Sequence, residues 1–151
     1  IIYPLSIGAI LAGARRPLLR HFEVFGENLG IAFQIQDDIL GVFGGEAKLG
    51  KSVVSDIEEG KNTLLITYAL RKANKAQKEV LKKHYGTGPI TKREHEEVKE
   101  VFIKTGSFSY SQKKAALYVE RAKVVIPTIT REREKVRLLT ELADFLVSRE
   151  K

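Results

Sequence analysis

Residues 18–43 read LLRHFEVFGENLGIAFQIQDDILGVF. Leu19, Phe22, Phe25, Leu29, Ala32, Phe33 and Leu40 recur close to every 3.6 positions, with Gln36 as the polar exception. That spacing predicts one long helix with a strongly buried face. Pro17, just before it, suits a first helical position. Working outward, a Gly-rich, charged loop runs from Gly44 to Gly60, and Asn62 or Thr63 then caps a helix through LLITYALRKA. Further helices are predicted over 75–85, 91–104, 107–126 and 132–149, punctuated by Gly86, Gly88, Pro89, Gly106 and Pro127. Strand-like alternation is nearly absent. The expected class is all-α, a helical bundle forming one unit without a linker or repeat.

On the other side lies the apolar run IIYPLSIGAILAGA, residues 1–14. It lacks the basic leader of a signal peptide and is too short to span a bilayer, so the expectation is a buried core helix in a soluble, cytoplasmic protein. The chain has 151 residues, no Cys and no Met. Disulfides, Cys-ligated zinc and thiol nucleophiles are thereby excluded. A chain that starts with Ile inside an apolar run reads as part of a longer protein. Net charge is +7, but residues 1–70 carry 6 Lys/Arg against 8 Asp/Glu, whereas residues 71–151 carry 20 against 11. The basic residues alternate with acids, as in KREHEEVKE, which is the pattern of solvated helix faces with i,i+4 pairs.

Asp37 and Asp38 interrupt the long helix between Phe33, Ile35, Ile39 and Leu40. Gln34 precedes them by one turn, at i−3 and i−4. A carboxylate pair with an amide on one face suits a hard cation such as Mg²⁺, which keeps waters and binds phosphate oxygens. The bland alternative is a hydrated solvent face. The following loop, GGEAKLGKSVVSDIEEGKNTLL, adds Lys48, Lys51 and Lys61, with Asp56, Glu58 and Glu59 among them. Lysines beside a carboxylate–metal site complement a diphosphate. Gly45–Ser52, GEAKLGKS, also matches the P-loop pattern letter for letter. A true P-loop needs a preceding strand and a helix opening at Lys-Ser, but IQDDILGVF reads as the end of a helix. We read the match as accidental.

Together these residues resemble the second half of a trans-isoprenyl diphosphate synthase, of the polyprenyl synthetase family. The family's second aspartate-rich motif follows Gly-x-x-Phe-Gln and precedes Gly-Lys and Asp-x-x-x-Gly-Lys-x-Thr. Here these stand as Gly30, Phe33, Gln34, Asp37 and Asp38, then Gly50-Lys51, then Asp56, Gly60, Lys61 and Thr63. The resemblance implies an isoprenoid synthase-type helical bundle, of which residues 1–151 would be the C-terminal portion. It implies a Mg²⁺-dependent, normally homodimeric enzyme that condenses isopentenyl diphosphate with an allylic diphosphate through an allylic carbocation. Asp37 would be the metal ligand of this motif, with Asp38 and Gln34 supporting it. Lys51 and Lys61 would hold the allylic diphosphate, Phe33 would line the growing chain, and Asp56 would support from behind.

Two departures stand out. The motif usually reads Asp-Asp-x-x-Asp, yet position 41 is glycine, so one carboxylate of that face is missing; with Asp37 as the main ligand the site is expected to survive, at weaker metal affinity. The first aspartate-rich motif and the isopentenyl diphosphate pocket belong upstream of Ile1, so this chain alone is not expected to catalyse prenyl transfer. His21, His84 and His95 lack helical-spacing partners and are not expected to bind metal. Capping and exposure account for Ser107, Ser109 and Ser111. The basic amphipathic segment KKAALYVERAKVVIP is expected to pack its apolar face in the bundle. Rival functions are a non-catalytic regulatory subunit of a prenyl synthase, mildly favoured by Gly41, and a basic helical nucleic-acid-binding module. The latter lacks recognition-helix or aromatic-platform signatures, so no nucleic-acid partner is expected.

Overall fold

The computed structural model describes residues 1–44 and 55–148. Among these residues there are eight helices and no strand, as an all-α fold requires. They are α1 (Ile2–Leu11), α2 (Arg16–Phe43), α3 (Ser55–Glu58), α4 (Leu64–Lys72), α5 (Lys75–His84), α6 (Lys92–Lys104), α7 (Ser107–Ile129) and α8 (Arg133–Val147). The chain forms two compact units. One combines Ile1–Gln34 with the segment from Lys114 onward, and the other comprises Ile35–Lys113.

In the first unit, Phe25, Leu29 and Ala32 of α2 pack with Val119, Ala122 and Ile126 of α7 and Ala143 of α8. Phe25 and Leu29 are fully buried, and burying each such side chain contributes roughly 1.5–3 kcal/mol. Gly26 brings α1 close to α2, since a Cβ there would lie 3.2 Å from Ile2 Cα and 3.4 Å from Leu5 Cδ1. The expectation of a buried first helix is corrected. Helix α1 forms but buries only Ala9, while Tyr3, Ile7, Ile10 and Leu11 are exposed. A helix apolar on every side leaves a bare face whichever side it buries. Pro127 also does not end its helix. It lies inside α7, which continues to Ile129 and closes with Thr130 N–H donating to Ile126 O at 3.0 Å. Proline removes one helical donor, but the carbonyls around it still propagate the final turn.

In the second unit, Val42 of α2 packs with Ile57, with Leu65, Ile66 and Ala69 of α4, with Leu81 of α5, and with Val98, Val101 and Phe102 of α6. Helix starts follow their sequence signals. The Thr63 side chain accepts from Ile66 N–H, and full capping boxes join Asn74 to Gln77 and Thr91 to Glu94. The predicted Gly44–Gly60 loop contains the short helix α3, whose Asp56 and Glu58 suit the positive end of a helix. Ser107 and Ser111 are fully buried rather than exposed, and Ser107 Oγ donates to the Leu65 carbonyl, tying α7 to α4. His84 is buried, with Nδ1 3.5 Å from Glu94 Oε1 and Nε2 3.5 Å from Glu97 Oε2 across α5 and α6. Among the described residues, no helix is long and apolar enough to cross a membrane.

Candidate active site

The predicted site residues fall on the C-terminal part of α2 and on the segment that follows α3. Asp37 is exposed and Asp38 half-buried, so here the pair avoids the cost of burying bare carboxylates. Phe33 and Gln34 stand one turn earlier on the same continuous helix, Phe33 half-buried and Gln34 exposed. Lys48, Lys51 and the whole Gly45–Ser52 motif lie outside the described residues. The stretch before that motif is helix α2 as far as Phe43, not the strand a P-loop requires.

Asp56 is the most informative residue of the group. It is 7% exposed, and its carboxylate lies directly against Gly41. A Cβ at position 41 would sit 2.9 Å from Asp56 Cγ and closer still to Oδ2. The gap left by the missing third aspartate is therefore filled by a carboxylate from another segment. Glycine at 41 makes that approach possible. An aspartate there would compete for the same space and add a second charge.

The buried Asp56 carboxylate is neutralised by Lys61, whose Nζ donates to Oδ1. The Lys61 side chain remains 45% exposed, so its ammonium can pair with Asp56 and still face a ligand. The hydrogen bond to Asp56 raises the Lys61 pKa above the ordinary lysine value against the opposing effect of burial, and the charges of Asp56, Glu59 and Asp37 add to it. Because Asp56 lies against Gly41, one helical turn beyond Asp37, its pairing with Lys61 draws the lysine toward the aspartate-bearing end of α2. Glu59 Oε2 lies 3.7 Å from Lys61 Nζ, both well exposed.

Sequence reasoning missed Tyr85. Its hydroxyl donates to the Lys61 carbonyl, and its ring meets Phe102 edge-on with centroids 6.2 Å apart. Burial, opposed by a hydrogen bond with the Thr63 side chain and aided by the charges of Asp56 and Asp38, pushes its pKa up to about 12, so it keeps its proton and remains a donor. The only sequence signal nearby was the turn punctuation of Gly86, Gly88 and Pro89.

Among the described residues, no three His, Cys, Asp or Glu side chains cluster as a complete metal cage. Asp37 and Asp38 nonetheless offer hard oxygen donors, and Mg²⁺ is commonly held by one or two carboxylates plus waters and phosphate oxygens. With Asp56 committed to Lys61, the residues present fit one side of such a site.

A family model described as polyprenyl synthetase matches residues 1–105. The chain belongs to the polyprenyl synthetase family. This polyprenyl synthetase chain is 37% identical over 149 residues to geranylfarnesyl diphosphate synthase from Aeropyrum pernix, covering 96% of this chain and 45% of that protein. It is 37% identical over 147 residues to geranylgeranyl diphosphate synthase from Sulfolobus acidocaldarius, covering 97% of this chain and 44% of that protein. It superimposes with a TM-score of 0.92 and 29% identity on geranylgeranyl pyrophosphate synthase from Corynebacterium glutamicum, a crystal structure with isoprenyl diphosphate and magnesium. That match covers 99% of this chain and 42% of the other. The chain spans under half the length of the relatives it matches.

Proposed function

We propose that residues 1–151 are the C-terminal portion of a polyprenyl synthetase domain in a cytoplasmic, homodimeric trans-prenyltransferase. The whole protein would be a Mg²⁺-dependent enzyme joining isopentenyl diphosphate to an allylic diphosphate to give a short-chain isoprenyl diphosphate. The observation that carries this reading is the Asp56 carboxylate lying against Gly41, one helical turn beyond Asp37, and pairing there with the half-exposed Lys61. It lies within the family match and mirrors a diphosphate's need for both metal and cation.

Bound Mg²⁺ would supply stabilisation of the departing diphosphate. Asp37 would hold it, with Asp38 and Gln34 in support. Lys61 would neutralise phosphate oxygens and hold the allylic diphosphate with Lys51, orienting its carbon–oxygen bond for departure. Phe33 would line the prenyl chain, and the apolar helix around it would keep water from the cationic carbon. Gly41 no longer favours a degenerate, non-catalytic subunit, because Asp56 occupies the space it leaves.

The test is a chimera in which this chain replaces the matching region of the Aeropyrum pernix synthase, assayed for incorporation of labelled isopentenyl diphosphate. Turnover is expected, and Asp37→Ala should lower kcat by about a hundredfold, the size of a metal contribution of several kcal/mol. The isolated chain should show no turnover. A folded chimera without activity, or an Asp37→Ala chimera as active as its parent, would overturn the proposal.

A further inference from the structure

Lys61 sits in a segment whose conformation is fixed from a distant part of the chain. Between α5 and α6, the stretch Tyr85–Ile90 lies along Asp56–Lys61 and bonds to it repeatedly. Gly86 N–H donates to the Ile57 carbonyl at 2.8 Å, and Gly88 N–H to the Glu58 carbonyl at 3.2 Å. Ile90 N–H donates to Glu58 Oε1 at 3.0 Å, and the Tyr85 hydroxyl caps the Lys61 carbonyl. The two backbones meet at a glycine pair. A Cβ on Gly60 would sit 2.7 Å from Gly86 Cα, and one on Gly86 would sit 3.1 Å from Gly60 Cα. Gly60 has φ +65° and Gly86 φ +74°, a region where side chains are strained.

Lys61 is further held by its own N–H donating to the Asp56 carbonyl at 3.1 Å and by Thr63 N–H donating to the Lys61 carbonyl at 2.9 Å. The Lys61 carbonyl thus accepts both from Thr63 N–H, the cap of α4, and from Tyr85. With its backbone fixed on both sides and its ammonium tied to Asp56, the side chain has little freedom before a ligand arrives. Preorganisation of this kind raises affinity by removing ordering costs at binding.

We propose that Tyr85 is a positioning residue for diphosphate binding, acting through Lys61, with the Gly86–Ile90 stretch as the rest of a clamp on the Asp56–Lys61 segment. The inference rests on the reading of Lys61 as a diphosphate ligand. Tyr85 does not touch the ligand; it fixes the peptide from which the ammonium projects.

The test uses the chimera with the Aeropyrum pernix synthase, Mg²⁺ and inorganic pyrophosphate, followed by ³¹P NMR titration, in a double-mutant cycle of Tyr85→Phe and Lys61→Ala. Tyr85→Phe removes one hydroxyl and keeps the ring packed on Phe102. It should weaken pyrophosphate affinity about fivefold, the size of one neutral hydrogen bond. In the Lys61→Ala background the same change should have no effect, which general loosening of the unit would not produce. Weaker binding by Lys61→Ala, together with unchanged binding by Tyr85→Phe, would overturn this inference and leave the diphosphate reading intact. Equal weakening by Tyr85→Phe in both backgrounds would overturn it as well. Absence of pyrophosphate binding by the unsubstituted chimera would overturn both.

Discussion

Gly26 and Gly41 stand on the same helix and both admit a close neighbour, but the neighbours differ in kind. At Gly26 the space is taken by the backbone and side chain of Ile2 and the tip of Leu5, all apolar. At Gly41 it is taken by the carboxylate of Asp56, buried and paired with Lys61. One glycine serves packing alone. The other places a charge, and through it a second charge, beside the aspartates of the same helix. A glycine in a helix costs about 0.5–1 kcal/mol relative to alanine, and the return on that cost is different at each end of α2.

Substitutions can break this contrast. The largest effect is expected from Gly41→Asp, which restores the family's third aspartate in sequence but not in space. It should destabilise the second unit by about 2–3 kcal/mol through overpacking and carboxylate repulsion, read as a lower urea midpoint. A stable variant with tighter Mg²⁺ binding would show that Asp56 can step aside, and the contrast would fail.

The charged end should also respond to alkali. The tyrosine pKa is 10.0 unfolded and about 12 in place, so the folded state retains a proton that the unfolded chain has lost. Stability contributed by Tyr85 is therefore whole below pH 10 and declines between pH 10 and 12, by about 1–2 kcal/mol. Lys61, whose pKa is also raised, acts in the same direction, but its exposure reduces its share. Urea midpoints measured across this range should fall for the parent and fall less for Tyr85→Phe.

Smaller effects calibrate the contrast. Gly30 has nothing within 4 Å of the point where a methyl group would stand, so Gly30→Ala should stabilise α2 by about 0.5–1 kcal/mol. Gly26→Ala gains the same helix preference but presses on Ile2, and should stay within about 0.5 kcal/mol of the parent. Thermal unfolding that ranks Gly26→Ala above Gly30→Ala would mean that α1 yields freely, contrary to the close packing described for it.

Much of the fold was legible because its signals are local. The Thr91 capping box and the Asn74 cap mark the starts of α6 and α5 to within a residue or two of their predicted bounds. Burial was less legible. The apolar sequence of α1 predicts a core helix, but which face meets a partner depends on what packs there. The buried state of Ser107 depends on a carbonyl of α4, far from it in sequence. Asp37, Asp38, Gln34, Lys51 and Lys61 were readable as a motif, Lys51 lying outside the described residues, while Gly41 read as a loss. Its true neighbour, Asp56, and the hold of Tyr85 on Lys61 arise from contacts across the chain that no spacing rule encodes. A glycine reports only that something comes close, not what.

The paired caps of α5 and α6 have a kinetic consequence. Those two helices are adjacent in sequence and meet through contacts that close a short loop, so little chain entropy stands in the way of their association. The apolar core of the first unit instead joins α2 to α7 and α8 from opposite ends of the chain. The short separation of α5 and α6 therefore favours their association ahead of the α2–α7–α8 core, whose partners lie far apart in sequence.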